Sequence, residues 1–386
     1  MNVRIITLGL VAAGAMALGS AAFAQNVPSQ FVVSGKAAEQ IQDFTTINLA
    51  TAERIAETCE KLAAEQNVAI SMYVLDNDGN HVYMDRMDGQ GYLNIVTAEM
   101  KARTALMGRE PSKNRMNRVI QDPTQEFQLI QLGFFPNSGG LPVAVNKQLI
   151  GAVGVGGSAP RVPVWSDEIC AHKALTAVIG PSVPPLVQDL PPRQNPNPGN
   201  APVPRFVPAA PPKSTLPADF VVNAKAATNV FDSNQISLTA ARKVARVCRD
   251  WAASKGGSMS LYIIDTAGEF VHVERMDGQV FNNIRTAMLK AQTALRTRQP
   301  TSIRAAQLRN DPSGLPRSTA YYDFFTNPGG VPIVVDGQMI GAIGVGGGAG
   351  GGGDENCAIE GLKAAFGEHV TLPVYPAATA PRESAR

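Results

Sequence analysis

Apolar residues recur at helical spacing between Thr45 and Glu65, at Ile47, Ala50, Ile55, Cys59, Leu62 and Ala63. That period puts them on one stripe and predicts an amphipathic helix. Ala69 to Leu75 is rich in β formers. Asp76-Asn77-Asp78-Gly79 has turn chemistry, and His81 to Met87 returns, so the pair reads as a hairpin. Ile95 to Met107 goes back to helical spacing. The Pro- and Gly-punctuated stretch after it reads as a loop, with one further short strand near Gly133 to Phe135. Leu141 to Asn146 and Gln148 to Val155 predict a second hairpin. Asp167 to Ile179 predicts a closing helix with Ser166 or Asp167 as its N-cap. Adjacent hairpins imply an antiparallel sheet with helices packed on it, an α/β (α+β) fold.

The same pattern is then written a second time. FVVSGKAAE at Phe31 returns as FVVNAKAAT at Phe220, and HVYMDRMDGQ at His81 as FVHVERMDGQ at Phe270. MKARTAL returns as LKAQTAL, IGAVGVGG as IGAIGVGG, and SDEICA as GDENCA. A period this long excludes a solenoid and means two homologous domains, expected at 31–180 and 219–372. Between them, 181–218 is crowded with proline. It reads as a semi-rigid polyproline spacer reaching up to on the order of 100 Å, at ~3.1 Å per residue, or as a proline-rich ligand for a partner. A loose Pro/Ala-rich tail is expected at 373–386.

Met1 to Ala24 joins Arg4, an apolar run from Ile5 to Leu18, and Ala22-Phe23-Ala24. This reads as a secretory signal peptide cut before Gln25, so the mature protein is expected to be periplasmic or secreted. No other segment is apolar and long enough to span a bilayer. Export gives the four cysteines an oxidising compartment. Each domain carries one on its first helix and one on its last, which predicts Cys59–Cys170 and Cys248–Cys357 bridges. Each would close a loop of about 110 residues and stabilise by roughly 4–5 kcal/mol in the chain-entropy picture. A formal net charge of +2 gives no electrostatic case for nucleic acid or anionic membrane.

Several residues carry candidate chemistry. Strand alternation puts His81 beside Tyr83, and Phe270 beside His272, each pair on one face. An imidazole next to a flat ring suits axial ligation and stacking of a planar cofactor, or is simply a half-exposed strand histidine with an aromatic neighbour. Arg86 and Arg275 could fork onto a ligand carboxylate or pair with a nearby acid. Lys101 and Lys290 could meet an anionic group or lie on a solvated helix face. The glycines after IGAVG and IGAIG could form an anion nest or merely permit a tight chain path. Asp167-Glu168 and Asp354-Glu355 read as helix caps, with an iron site as the sharper alternative.

The ordered string Y-x-x-D-x-x-G, R-M-D-G, K-A-x-T-A, G-G-x-P and G-A-x-G-V-x-G carries a resemblance. It is Tyr73, Asp76, Gly79, Arg86 to Gly89, Lys101 to Ala105, Gly139 to Pro142 and Gly151 to Gly157. The second copy is Tyr262, Asp265, Gly268, Arg275 to Gly278, Lys290 to Ala294, Gly329 to Pro332 and Gly341 to Gly347. Both copies resemble the GlcG/HbpS family of haem-binding or haem-degrading proteins, which includes the C-terminal domain of PduO-type proteins. The resemblance implies two tandem profilin-like domains, oligomer formation (here a homo-oligomer), and haem as cofactor in several members. It leads to an exported haem-binding protein for sequestration or degradation, any catalysis left open. The resemblance matches no haem ligand to these motifs; from the strand geometry, His81 and His272 would be candidate iron ligands, Tyr83 and Phe270 pocket walls, and Arg86, Arg275, Lys101 and Lys290 propionate partners. The alternatives are a module binding a small anionic metabolite such as an organic acid, and an oligomeric assembly protein.

Overall fold

The computed structural model describes residues 27–40, 45–158, 165–191, 211–230, 232–309, 323–348 and 353–374. The expected signal peptide at 1–24 and most of the tail lie outside these residues, as do 192–210 of the spacer.

The first repeat runs α1 (Leu49–Glu65), β1 (Ser71–Asp76), β2 (His81–Arg86), α2 (Tyr92–Gly108), α3 (Ser112–Gln121), α4 (Gln125–Gln131), β3 (Gly140–Val145), β4 (Gln148–Gly156) and α5 (Asp167–Ile179). The second runs α6 (Leu238–Ser254), β5 (Ser260–Ile264), β6 (Phe270–Arg275), α7 (Phe281–Thr297), α8 (Thr301–Arg309), β7 (Gly330–Val335), β8 (Gln338–Gly346) and α9 (Gly353–Phe366). The α-β-β-α…β-β-α order therefore holds in both copies. The expected loop after α2 instead holds α3 and α4, ten and seven residues long, whose shortness and few apolar residues let them read as a polar loop. Gly133 to Phe135 is not a strand. It is the turn leaving α4, with Phe134 N–H donating to Leu129 O and Phe135 N–H to the Thr104 hydroxyl.

All eight strands join one antiparallel sheet, ordered β3-β4-β1-β2-β6-β5-β8-β7. The two hairpin pairs do not form separate sheets: β2 of one repeat pairs with β6 of the other through Tyr83↔Glu274, Met84↔Val273 and Asp85↔His272. Met84 and Val273 are equivalent residues facing each other, so a pseudo-two-fold axis passes between them. The pairing is isologous, as in a symmetric dimer. It also removes an edge strand from each repeat.

One face of the sheet carries α1 and α5 in the first repeat and α6 and α9 in the second; the other face carries α2 and α7. On the first face, Cys59 of α1 meets Cys170 of α5 and Cys248 of α6 meets Cys357 of α9, the pairing expected from their positions. On the second face the helices lie very close to the strands. A Cβ on Gly154 would meet Ala98 O at 2.0 Å, and one on Gly344 would meet Ala287 O at 1.9 Å. The repeated glycines are therefore spacers for helix–sheet contact. Ser166 is the N-cap of α5, accepting from Ile169 N–H.

The ends of the proline-rich segment are tied down, one to each repeat. Val187 N–H donates to Glu168, Asn117 to Gln188 O, and Lys113 pairs with Asp189. On the other side Ser233 donates to Pro212 O and Gln338 to Thr215.

Candidate functional site at the seam between repeats

The R-M-D-G-Q phrase sits on the seam, and each of its letters has a structural partner there. Arg86 donates from Nη2 to Asp265 at 2.6 Å and from Nε to Phe270 O at 2.8 Å. Arg275 does the same to Asp76 at 2.6 Å and His81 O at 3.0 Å. These are reciprocal buried ion pairs, and each arginine also lies against an aromatic ring, Tyr92 or Phe281. Met87 and Met276 pack against both large cores. Asp88 accepts from Leu238 N–H at the start of α6, and Asp277 from Leu49 N–H at the start of α1. Each thus caps the other repeat's first helix. Gly89 and Gly278 turn at φ 80° and 82°, and Gly89 passes so close under the second repeat's N-terminal segment that a Cβ would meet Ala226 at 2.9 Å. Gln90 and Gln279 tie the turn to Asn94 and Asn283 on α2 and α7.

The histidines do not share a face. The β1–β2 register shifts between Val74 and Leu75, so that Val74 faces Tyr83 and Leu75 faces His81, with Val82 the extra residue. A bulge breaks the i, i+2 rule. Tyr83 belongs to the core under α1, whereas His81 points to the α2 side, where its ring meets Tyr73 edge-on at 5.2 Å. The same shift between Ile263 and Ile264 separates Phe270 from His272. Phe270 lies against Tyr262 on the α7 side, and His272 packs on Tyr83 across the axis at 5.3 Å. Neither His81–Tyr83 nor Phe270–His272 forms a one-sided pocket.

His272 is 1% exposed. Its Nδ1 lies 2.5 Å from Asp85 Oδ1, and its Nε2 is 3.5 Å from Glu274, too far for a good hydrogen bond. Arg242 of α6 reaches both Asp85 and Glu60 of α1, and Arg249 reaches Glu274 and Glu53. Burial alone would push the His272 imidazole down. The Asp85 carboxylate and its hydrogen bond, helped by Glu274, outweigh that and hold it at about 9. Burial, reinforced by the Asp85 charge, raises Glu60 to about 8 against the pull of Arg242.

His81 has a 17% exposed side chain. Its Nδ1 is 2.7 Å from the Tyr262 hydroxyl and its Nε2 is 3.2 Å from Glu99. Burial would raise Glu99, but hydrogen bonds and charge from His81 and Arg103 bring it down to about 2. His81 has both ring nitrogens engaged, and the one unpaired nitrogen of His272, Nε2, is sealed inside the seam, so neither presents a ready axial nitrogen. The His81/His272 pair does not fit an iron-ligand role in this arrangement.

The lysines are structural here too. Lys101 Nζ donates to Val155 O at 3.0 Å and Asp167 at 2.7 Å; Lys290 repeats this with Val345 O at 2.8 Å and Asp354 at 2.7 Å. Asp167 and Asp354 also accept from Ser158 N–H and Gly348 N–H, which fixes the ends of the glycine strands. Lys101 and Lys290 are therefore buried ion-pair partners instead of a solvated face. Beside Lys101 lies an open polar groove of about 650 Å³ that also includes Gln90, Asn94, Asn137 and Lys225. Among the described residues no cluster of three or more His, Cys, Asp or Glu could hold a metal ion, so the acid pairs do not form an iron site there.

A family model described as "Haem degrading protein HbpS-like" matches residues 47–176 and again 236–363, together more than half of the chain. The chain belongs to the HbpS-like family. An uncharacterised 15.0 kDa protein from the dhaT-dhaS intergenic region of Citrobacter freundii is 33% identical over 141 residues, 35% of this chain and 93% of that protein. Protein GlcG of Escherichia coli K12 is 32% identical over 104 residues, 27% of this chain and 76% of GlcG. Among solved structures, HbpS shows 28% identity over 38% of this chain and 99% of its own, with a TM-score of 0.32. A PduOC:heme complex shows 18% identity over 36% and 97%, with a TM-score of 0.31. The HbpS-like segments begin at Ile47 and Ile236, just ahead of α1 and α6, so the matched unit is one half of the eight-stranded sheet.

Sequence reasoning missed the charged groups that α1 and α6 bring to the seam. Glu60 follows Ala56 by four residues and precedes Ala63 by three, so it interrupts the buried stripe of α1. A charge on an apolar stripe is the signal that would have exposed it.

Proposed function

We propose that this protein binds haem. The observation that carries the reading is the HbpS-like match in both repeats. With the two seam histidines engaged, the receiving surface on this reading is the outer face of α2 and α4 in the first repeat. Leu93 is 73% exposed there and Phe127 77%, with Val96, Met100, Met107 and Ile130 also exposed. Leu93, Val96, Met100 and Met107 recur at helical spacing on α2, and an exposed apolar stripe marks a binding surface more often than scattered single residues do. The equivalent positions on α7 include Asn282, Arg285 and Arg296, so the first repeat is the binding half. An iron-porphyrin held there would supply the redox chemistry, and the protein its orientation and surroundings. Export through the N-terminal leader and self-association belong to this reading.

Haemin titration of the mature chain tests it. A Soret band that shifts and saturates, and is weakened at least tenfold by Val96→Glu with Met100→Glu, supports binding at α2. Loss of the shift in His81→Ala with His272→Ala instead would move the site to the seam. No shift at all refutes haem binding. Iron release from the complex under reductant and oxygen would make it a degrading enzyme, and persistence of the complex a sequestering protein. A second reading, capture of a small organic acid, rests on the polar groove beside Lys101. A rise in melting temperature with such an acid, and none with haemin, would favour it.

A further inference from the structure

The seam contains a three-residue relay that breaks the pseudo-symmetry. Tyr262 of β5 is 2% exposed, and its hydroxyl lies 2.7 Å from His81 Nδ1. His81 Nε2 lies 3.2 Å from Glu99 Oε1, and Arg103 grips that same oxygen at 2.9 and 2.7 Å. A carboxylate only accepts, so in the neutral ring Nε2 carries the proton and donates to Glu99. Nδ1 then has a lone pair, and the Tyr262 O–H donates to it. The tautomer is fixed by its two neighbours.

The equivalent tyrosine of the first repeat, Tyr73, has the same strand position and is 0% exposed. Its base is missing, because the residue equivalent to His81 is Phe270, and the Tyr73 hydroxyl has no hydrogen-bond partner. Two buried phenols therefore differ mainly in whether an imidazole waits beside the oxygen. Burial strongly opposes tyrosinate at Tyr262, with the Glu99 charge adding to it. Loss of an electron reverses that, since an oxidised phenol is a strong acid and the adjacent imidazole takes its proton, which stays within the cluster.

We propose that Tyr262 is a redox-active tyrosine whose one-electron oxidation is coupled to proton transfer to His81. The phenol gives one electron to a strong one-electron acceptor, such as a peroxide-oxidised haem or an outer-sphere metal complex. Its O–H bond breaks and the proton forms a bond to Nδ1. The products are a neutral tyrosyl radical and an imidazolium whose Nε2–H faces the Glu99 carboxylate. One acceptor is reduced by one electron for each radical formed, and return of the electron and proton restores the phenol. In a protein exposed to oxidising equivalents the relay acts as a one-electron donor that consumes one such equivalent per radical formed. It operates with any acceptor of sufficient potential and does not depend on haem binding.

The test uses the full mature chain without haem, treated with hexachloroiridate(IV) and freeze-quenched for electron paramagnetic resonance. A tyrosyl component is expected that Tyr262→Phe removes and Tyr73→Phe leaves unchanged. His81→Phe, which installs the second repeat's own residue at this position, should cut that component at least tenfold while circular dichroism stays unchanged. In D₂O the component should form more slowly by a factor of about two or more. No component sensitive to Tyr262→Phe, equal sensitivity to Tyr73→Phe, or a full yield in a folded His81→Phe protein would each overturn the proposal.

Discussion

Glu60→Gln is expected to stabilise the protein at alkaline pH and to leave it nearly unchanged in acid. Glu60 is buried beside Asp85, and burial raises its carboxyl from 4.5 to about 8. Above its ordinary value the unfolded chain has released this proton while the folded chain still holds it. Stability from this group is therefore complete below about pH 4.5 and is lost as pH rises to about 8. At ~1.4 kcal/mol per unit, the full loss is about 5 kcal/mol; sharing of Arg242 between Glu60 and Asp85 brings the expectation to about 3–5 kcal/mol. His272 acts in the same direction. Raised from 6.5 to about 9, it contributes below about pH 6.5 and loses its contribution as pH climbs through 9. Glutamine mimics the protonated acid and keeps an oxygen for Arg242. Urea unfolding of parent and variant should differ by less than about 1 kcal/mol near pH 5. Near pH 8.5 the variant should be ahead by about 3–5 kcal/mol. A variant equally destabilised at both values, or one whose advantage grows toward acid, would refute a neutral Glu60 in the folded state.

Arg86→Ala would strand the buried Asp265 carboxylate and should cost about 3–5 kcal/mol, read as a lower denaturation midpoint; Arg275→Ala should match it through Asp76. Gly154→Ala would drive a methyl into Ala98 O, and Gly344→Ala one into Ala287 O. Either should lower the melting temperature by several degrees, consistent with about 1–3 kcal/mol of overpacking. Non-reducing peptide mapping should recover Cys59 with Cys170 and Cys248 with Cys357. Reducing both bridges should cost about 2–5 kcal/mol each, and a cross-repeat peptide would contradict the pairing.

The sequence by itself determined the duplication, the order of helices and hairpins, the cysteine pairing and the family. Each of these is written in local periodicity, or in a motif whose letters stand close together. Tertiary structure decided what the motifs are for. Arg86 and Asp265, or Asp88 and the start of α6, lie far apart in the chain and meet only because β2 pairs with β6, and no local pattern records which strands become neighbours. The shortness and low apolar content of α3 and α4 hid two helices in an expected loop.

The histidines show the limit most clearly. Alternation put His81 beside Tyr83, and one extra residue, Val82, reversed that, because a bulge depends on how two strands pair and not on either strand alone. His272 became part of a buried charge cluster, and His81 the base of a relay to a tyrosine in the other repeat. The chain specified which groups it carries. The seam between its two halves specified which of them share a proton.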